Sequence, residues 1–596
     1  MPKVSLRPLS SKIPSYSIYA FDIETTGSDN DFLMGSVVGD NVKKIFWDKK
    51  EMIKYITTKR DFYHSSRIFA TNLSFDLMAL FQKTEWMPKL SILLRGSKII
   101  QAKLQVETHQ PKKDTEPIIK KMTFLDTLNY SLFSVEELGK IINLPKMEMP
   151  PYILEKRMPT ENEKSYIEEY NIRDSEITFR FASFMQDSFN RMGCKMRMTI
   201  ASTALDLFKR RYLNKKMYQE PKMIMEKQYE GYYGGRAEVF KRGIARDVNY
   251  YDFNSLYPSV MRNEYPDVSS SYYREKGYMD FIESYHGISD VDLFCPKTIN
   301  IPLLPLHMNG KLLFPSGKFS GWYSHIEIRK ALEIGYLLLN IREQIYYTHS
   351  HYPFKEYVEN LYQLRKEKKE AKDRTELIIK LMMNSLYGKF GQKITGHEKI
   401  YHIDTLTYDQ IRRMSEKGNL SMVGEYIYFV EHNPTHIASH IMPIYALYTT
   451  AYGRINLYEA MKNVDVIYVD TDSIVTPDAI SVSKEMGELK LEHRIKEGIF
   501  IRPKMYGFLT EEGESHIRIK GNSASFDWDY DRFKRFISNP TVQTDRFSTF
   551  KTANRKGISF NSILQIEKNF ELEDDKRIWE GSFNPLSAQG SSPLVI

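Results

Sequence analysis

Cysteine is almost missing from this chain: Cys194 and Cys295 are the only two in 596 residues. That excludes a disulfide framework and a cysteine-based zinc site, and it fits a reducing compartment. Long apolar runs are missing too. No stretch approaches the ~18 apolar residues of a membrane-crossing helix, and Met1 to Tyr19 lacks the apolar core of a secretory leader. The chain is therefore expected to be soluble and intracellular, with no membrane partner. A histidine-based metal site is not expected either. His432, His436 and His440 recur every four residues, but Pro434 interrupts the first interval and no HExxH pattern accompanies them. Charge is nearly balanced: 84 Lys and Arg against 76 Asp and Glu leave a net +8, the right sign for a polyanion partner but too small to demand one.

What is present is size and apolar content. At 42% hydrophobic and 13% aromatic the chain can fill packed cores, and its length calls for several domains at roughly 100–200 residues each. Its densest chemical signal is Tyr468-Val469-Asp470-Thr471-Asp472-Ser473, flanked by Val466-Ile467 and Ile474-Val475. β-Branched residues on both sides of a polar break read as strand, turn, strand. If the backbone stays extended, Asp470 and Asp472 share a face. Two carboxylates so close repel unless a cation lies between them, and an all-oxygen site suits Mg²⁺ or Mn²⁺.

Further acids follow the same logic. Ile18 to Gly27 is a short apolar strand carrying Asp22 and Glu24 on one face. Ile68-Phe69-Ala70 leads through Asn72 and Phe75 to Asp76 at the start of a helical stretch. Tyr166 to Asp174 is helical, with Tyr170 and Asp174 on one face. Val248 to Phe253 is an apolar strand delivering Asp252, and the chain turns into a helix near Pro258. The helix from Thr375 to Tyr387 places Lys380, Asn384 and Tyr387 on one stripe. Between residues 105 and 121 the chain turns polar and charged and reads as an exposed loop. Thr199 to Tyr218 is a basic helical pattern, and Tyr232-Tyr233-Gly234-Gly235-Arg236 is a turn whose glycines allow positive φ or close approach to a phosphate.

Together these strings resemble two known sets. Asp22/Glu24 (DxE), Asn72 to Asp76 (NxxFD) and Tyr170/Asp174 (YxxxD) resemble the motifs of proofreading 3′–5′ exonucleases with an RNase H-like fold. Asp252 to Ser259 (DxxSLYPS), Lys380 to Gly388 (KLMMNSLYG) and Tyr468 to Ser473 (YVDTDS) resemble motifs A, B and C of family B DNA polymerases, in that order. The resemblance implies an α/β multidomain protein: an RNase H-like exonuclease domain, then a right-hand polymerase of palm, fingers and thumb with two insertions. The expected division is 1–205 exonuclease, 206–275 palm, 276–348 first insertion and palm return, 349–391 fingers, 392–433 second insertion, 434–515 palm and 516–596 thumb.

The resemblance also implies roles. Asp22, Glu24, Asp76 and Asp174 would hold two metal ions in one site, with Tyr170 orienting water, and Asp252, Asp472 and Asp470 would hold two in the other. Thr25, Asn72 and Phe75 would handle a frayed single strand, and Lys146 would contact phosphate. Lys380 and Arg365 would meet the incoming dNTP; Lys366, Lys368 and Lys369 compete with Arg365 for that role. Tyr257 would act as a gate against ribose, Tyr387 and Asn384 would flank the new base pair, and Val469 would lie beside the nucleotide. Tyr232, Gly234, Gly235, Thr450, Arg454, Lys504 and Tyr506 would touch template or primer. The interval from Asp252 to Lys380, and the one from Gln392 to Asn433, which reads as a protruding hairpin, resemble the two insertions of protein-primed polymerases of linear-genome phages and plasmids. A terminal protein is then the expected partner beside template–primer DNA, with the enzyme a monomer in the host cytoplasm. A nucleic-acid-primed relative and a non-catalytic DNA-binding scaffold are the alternatives.

Overall fold

The computed structural model describes the chain apart from residues 1–3, 11, 28–29, 64–65, 96–97, 108–118, 156, 394–397, 432–436, 523–526, 557, 559–561 and 586. The tip of the loop expected at 105–121, and two of the three histidines weighed for zinc, His432 and His436, lie outside the described residues.

Two sheets carry the two sets of acids. The first has ten strands in the order Gly418–Val423, Tyr426–Glu431, Glu398–His402, Leu90–Arg95, Lys98–Glu107, Ile119–Asp126, Ser66–Ala70, Ser17–Thr26, Asp31–Gly39, Val42–Phe46. Ser66–Ala70 is parallel to both of its neighbours, and at that parallel centre Phe21, Ile68, Phe69, Ala70 and Phe124 are all buried. Burial on both faces is what lets parallel strands read as continuous apolar runs. The helix Lys164–Met192 crosses Ser17–Thr26. Its buried positions Ile167, Tyr170, Asn171, Asp174, Ile177, Thr178 and Phe181 form one helical stripe, apolar except for a central polar patch. The helix stops at Gly193, whose φ of +87° supplies the left-handed cap.

The second sheet has seven antiparallel strands in the order Ala237–Val239, Tyr468–Asp470, Ser473–Thr476, Gly243–Phe253, Leu489–Arg502, Met505–Thr510, Ser515–Ile519. The helix Pro443–Met461 covers one face, and Tyr251, Phe253, Leu457, Met461, Val469 and Ile474 form a core between them. A separate four-stranded sheet, Ser271–Arg274, Leu337–Tyr347, His286–Cys295, Gly317–Ser324, has three strands within the first expected insertion, while Ser271–Arg274 lies ahead of residue 276, so the expected palm boundary at 275/276 separates it from its own sheet. The helices Lys355–Glu370 and Thr375–Phe390 pack on each other.

Three further expectations need correction. The segment read as a protruding hairpin does form one, Gly418–Val423 with Tyr426–Glu431, but it lies on the edge of the first sheet rather than standing free: Glu398 pairs with Val430 and Leu94 and Ile400 with Ile92, and Ile400, Tyr426 and Tyr428 join that sheet's core. Alternation marks a strand but not its partner. The boundary at 205/206 falls inside the helix Ile200–Arg211. The boundary at 515/516 cuts the strand Ser515–Ile519, and the last residues do not stay with the small unit made by Tyr530–Ser538 and the hairpin Thr541–Phe547 with Ile563–Asn569. They return beside the second sheet, where Arg577–Trp579 and Ser591–Pro593 form a small sheet of their own, Gln589 bridges Arg242 and Arg577 donates to Glu238. Among the described residues no helix is long and apolar enough to cross a membrane.

Candidate active sites

The strand Gly243–Phe253 lies against Ser473–Thr476 with Asp252 opposite Ser473, and the Phe253 N–H donates to the Asp472 carbonyl at 2.8 Å. Residues 220 positions apart thus become neighbours. Between the two carboxylates of the hairpin, Thr471 has φ +64° and the Asp472 N–H donates to the Asp470 carbonyl at 2.7 Å. The backbone therefore turns rather than staying extended, which corrects the expected shared face. Asp470 accepts from Tyr468 Oη at 3.3 Å and pairs with Lys504 Nζ at 3.2 Å, whereas Asp472 feels Asp252. Burial, then the charges of Asp252 and Asp470, pushes the Asp472 pKa up to about 6. Burial also raises Asp252, opposed by the Lys490 ammonium, raised further by Glu492 and lowered by Lys380.

The turn is held from behind. The Thr471 N–H donates to the Arg236 carbonyl at 2.6 Å. A Cβ on Gly235 would stand 2.8 Å from the Thr471 side chain and 2.9 Å from Tyr257 Oη, so close approach is what demands glycine there. Gly234 faces open space, and neither glycine has positive φ. Thr450 and Arg454, expected on DNA, are buried. Thr450 Oγ1 donates to the Leu447 carbonyl, while Arg454 pairs with the fully buried Glu327 and donates to the carbonyls of Tyr233 and Gly234. Arg454 thus supports the glycine loop, while Thr450 bonds within its own helix. The Val469 side chain is likewise inside the core. Aromatic and basic residues cannot reveal from sequence which way a buried helix presents them.

Lys380 and Asn384 point outward from Thr375–Phe390, and Tyr387 is half-buried with its ring 4.7 Å from that of Tyr257. Arg365 pairs with Glu376 at 3.1 Å and reaches Ser255 Oγ at 3.5 Å, beside Asp252 in sequence. Tyr232 is half-buried and packs where a side chain on Gly391 would fall. The Lys504 N–H donates to Tyr468 Oη at 3.1 Å, and Tyr506 lies between the rings of Tyr468 and Phe508.

In the first sheet four acids from three elements converge. Asp22 and Glu24 come from Ser17–Thr26. Asp76, in the helix Leu73–Phe81, accepts the Ile23 N–H at 3.1 Å. Asp174 comes from the long helix. Burial raises all four pKa values: Glu24 to about 7, Asp22 and Asp76 far above the carboxylate range, and Asp174 less, because Lys146 binds it. Asp76, Glu24 and Asp174 add to the rise at Asp22. Lys146 also sits 4.7 Å from the ring centre of the buried Tyr170. Thr25 Oγ1 donates to Asn30, Asn72 adopts φ +70° with an exposed side chain, and Phe75 is half-buried.

Two residues of this site escaped the sequence reading. Asn171 Nδ2 donates to Asp22 at 2.7 Å and to Glu24 at 3.4 Å; its place on the same helical stripe as Asp174 was the available signal. Asp126 accepts the N–H groups of Asn72 and Leu73, both at 3.0 Å, and so fixes the start of the helix that carries Asp76. Like Asp22 it follows an apolar strand.

Both clusters suit a hard cation. Their donors are all oxygen, and the buried Oδ1 of Asp174 has no hydrogen-bond partner. Among the described residues no three such side chains already form a coordination shell. Instead Lys146, Lys504 and Lys490 lie against Asp174, Asp470 and Asp252, as expected for like charges that repel until a cation draws them together.

Comparison with known proteins agrees with this layout. A probable DNA polymerase of Podospora anserina is 30% identical over 461 residues, 67% of this chain and 37% of that protein. The DNA polymerase of Streptococcus phage Cp-1 is 24% identical over 443 residues, covering 67% of this chain and 71% of the phage protein. The chain spans less than half the length of the fungal proteins it matches, 47% of one from Ascobolus immersus. In fold it is similar to Phi29 DNA polymerase complexed with primer-template DNA and incoming nucleotide, with a TM-score of 0.68 at 15% identity over 94% of this chain and 100% of that one. The family described as DNA polymerase type B, organellar and viral, matches residues 152–463, more than half of the length and a span that includes Asp252 and Lys380. With acids gathered on two sheets and that match running through the first palm strand and the fingers helix, the chain belongs to the organellar and viral type B DNA polymerases.

Proposed function

We propose that this protein is a DNA-directed DNA polymerase with a 3′–5′ exonuclease, copying a linear viral or plasmid genome inside the host cell, as a monomer, from a terminal protein. One observation carries the polymerase reading: the strand register that sets Asp252 beside Asp472, with Lys380 within electrostatic reach. Asp252 and Asp472 would hold the ions, with Asp470, paired to Lys504, supporting them. Lys380 and Arg365 neutralise the triphosphate of a dNTP, and Tyr257, packed on Tyr387, excludes a ribose hydroxyl. Lys504 and Tyr506 orient the primer, and Gly234 and Gly235 let the template backbone approach. Two Mg²⁺ or Mn²⁺ ions bound at each site would lower the pKa of the attacking hydroxyl or water and neutralise the leaving oxygen.

At the other site Asp22, Glu24, Asp76 and Asp174 hold ions and Tyr170 orients water, while Thr25, Asn72 and Phe75 grip the frayed end and Lys146 moves from Asp174 toward phosphate. Phosphoryl transfer needs positioning and electrostatics more than covalent help, which is what such clusters supply. Terminal-protein priming is supported by the exposed aromatic face of the four-stranded sheet, where Tyr272 stacks on Tyr346 and Tyr346 on Phe281, with Tyr278 alongside.

Extension of a primed template with Mg²⁺, by wild type and by Asp472→Asn, tests the polymerase: equal extension by both sinks it and leaves a DNA-binding scaffold. For priming, labelled dNTP should become covalently attached to a protein of the same genome. Oligonucleotide extension with no such adduct favours the nucleic-acid-primed relative.

A further inference from the structure

Lys490 was not singled out by any motif. It stands directly across from Asp252 in the pairing of Gly243–Phe253 with Leu489–Arg502. Its ammonium lies 3.6 Å from Asp252 Oδ1 and also contacts the Glu492 carboxylate, which projects from the same face two residues on. All three side chains are partly open to solvent, and Asp252 and Glu492 line a cleft together with Tyr250, His493 and Tyr506.

An oxygen of Asp252 cannot hold a divalent ion closely while an ammonium sits on it, because the two cations repel at a few ångströms. Lys490 is tethered to the neighbouring strand, so it is always present at high local concentration. It also has a second carboxylate to move to: Glu492 can retain the ammonium when Asp252 is taken. The flexible four-carbon stem makes that shift possible without moving the strand. Among the described residues Asp472 has no such ion pair, so of the two acids proposed to hold the ions directly only Asp252 is contested; Lys504 pairs with the supporting Asp470.

We propose that Lys490 is a positioning residue that competes with the divalent ion for Asp252, keeps the ion-free acid cluster neutralised, and so sets the ion concentration at which the polymerase site fills. This rests on the polymerase reading given above.

The test is Mn²⁺ binding to the full chain, read by electron paramagnetic resonance of free ion, in an Asp22→Asn/Asp174→Asn background that weakens the other site. Lys490→Met and Lys490→Gln, each checked for an unchanged melting transition, are expected to bind Mn²⁺ about fivefold more tightly, and Lys490→Arg to match the background. Half-saturating Mn²⁺ for nucleotide incorporation should fall in parallel. Unchanged or weaker binding by both neutral variants overturns the proposal. Asp472→Asn separates the two readings. If it loses the site while the neutral variants are unchanged, only the role of Lys490 falls. If it binds as the background does, the polymerase site is misplaced and both readings fall.

Discussion

The two acid clusters solve the same electrostatic problem in opposite ways. In the first sheet Glu24, Asp76 and Asp174 are buried, clamped by the long helix, which supplies both Asp174 and the Asn171 donor, and by the Ile23 backbone N–H of the strand. In the second sheet the acids sit on a tight hairpin and an adjoining strand end, partly open, with lysines from neighbouring strands against them. On the proposed reading the deep site would admit only a frayed strand, and the shallow one a duplex end and a nucleotide together. Burial raises proton affinity in both, taking Glu24 from 4.5 to about 7 and Asp472 from 3.8 to about 6.

The sharpest way to break this comparison is to remove one carboxylate from each cluster. Asp472→Asn should lower nucleotide incorporation by roughly a thousandfold or more and leave excision of a mismatched 3′ end within about twofold; Asp22→Asn should do the reverse. Gel assays of extension and excision on one labelled primer measure both. If either variant damages both activities equally, the clusters are not separate sites.

A smaller effect follows from depth. A buried acid whose folded pKa is raised binds its proton more tightly when folded, so stability is highest below its unfolded value, 4.5 for Glu24, and is lost as pH rises to about 7. In EDTA, Glu24→Gln should therefore gain about 3 kcal/mol on wild type between pH 4 and pH 8. Asp472→Asn should gain in the same direction, because its pKa too is raised by burial, from 3.8 to about 6. Urea unfolding at the two pH values measures both, and a pH-independent difference from wild type would show that the acids are not buried in the ion-free protein.

The mildest test concerns the support behind the hairpin. Gly235→Ala forces a Cβ against Thr471 and should reduce incorporation about tenfold, whereas Gly234→Ala, whose Cβ meets no protein atom, should lose less and only through its approach to the template. Excision should change in neither. Steady-state incorporation kinetics of the two variants would expose a loop that tolerates both.

Much of this was legible in the residues. Apolar strands carrying acids drew attention to Asp22, Asp252 and the hairpin of Asp470 and Asp472, but a single acid on a strand or turn is common, and it was the set of motifs in its order that singled them out. The helical stripe holding Tyr170 and Asp174 was legible for the same periodic reason. Burial was not. Arg454 and Thr450 look like ligands of a phosphate backbone in the sequence, yet Arg454 is neutralised by Glu327 on a helix 127 residues earlier and holds up the glycine loop. Lys490 and Asn171 gained their places only because strand register and helix packing put them against Asp252 and Asp22.

Taken alone, the order of residues determined which segments are strands and helices and which of them carry charge, since period and side-chain type are local properties. Only the tertiary structure decided which strand each segment joins, that residues 398–431 extend the first sheet, and that Thr471 turns one carboxylate toward Asp252 and the other toward Lys504. Those outcomes depend on hydrogen-bond partners and excluded volume supplied by residues far away in the chain, which no local pattern encodes.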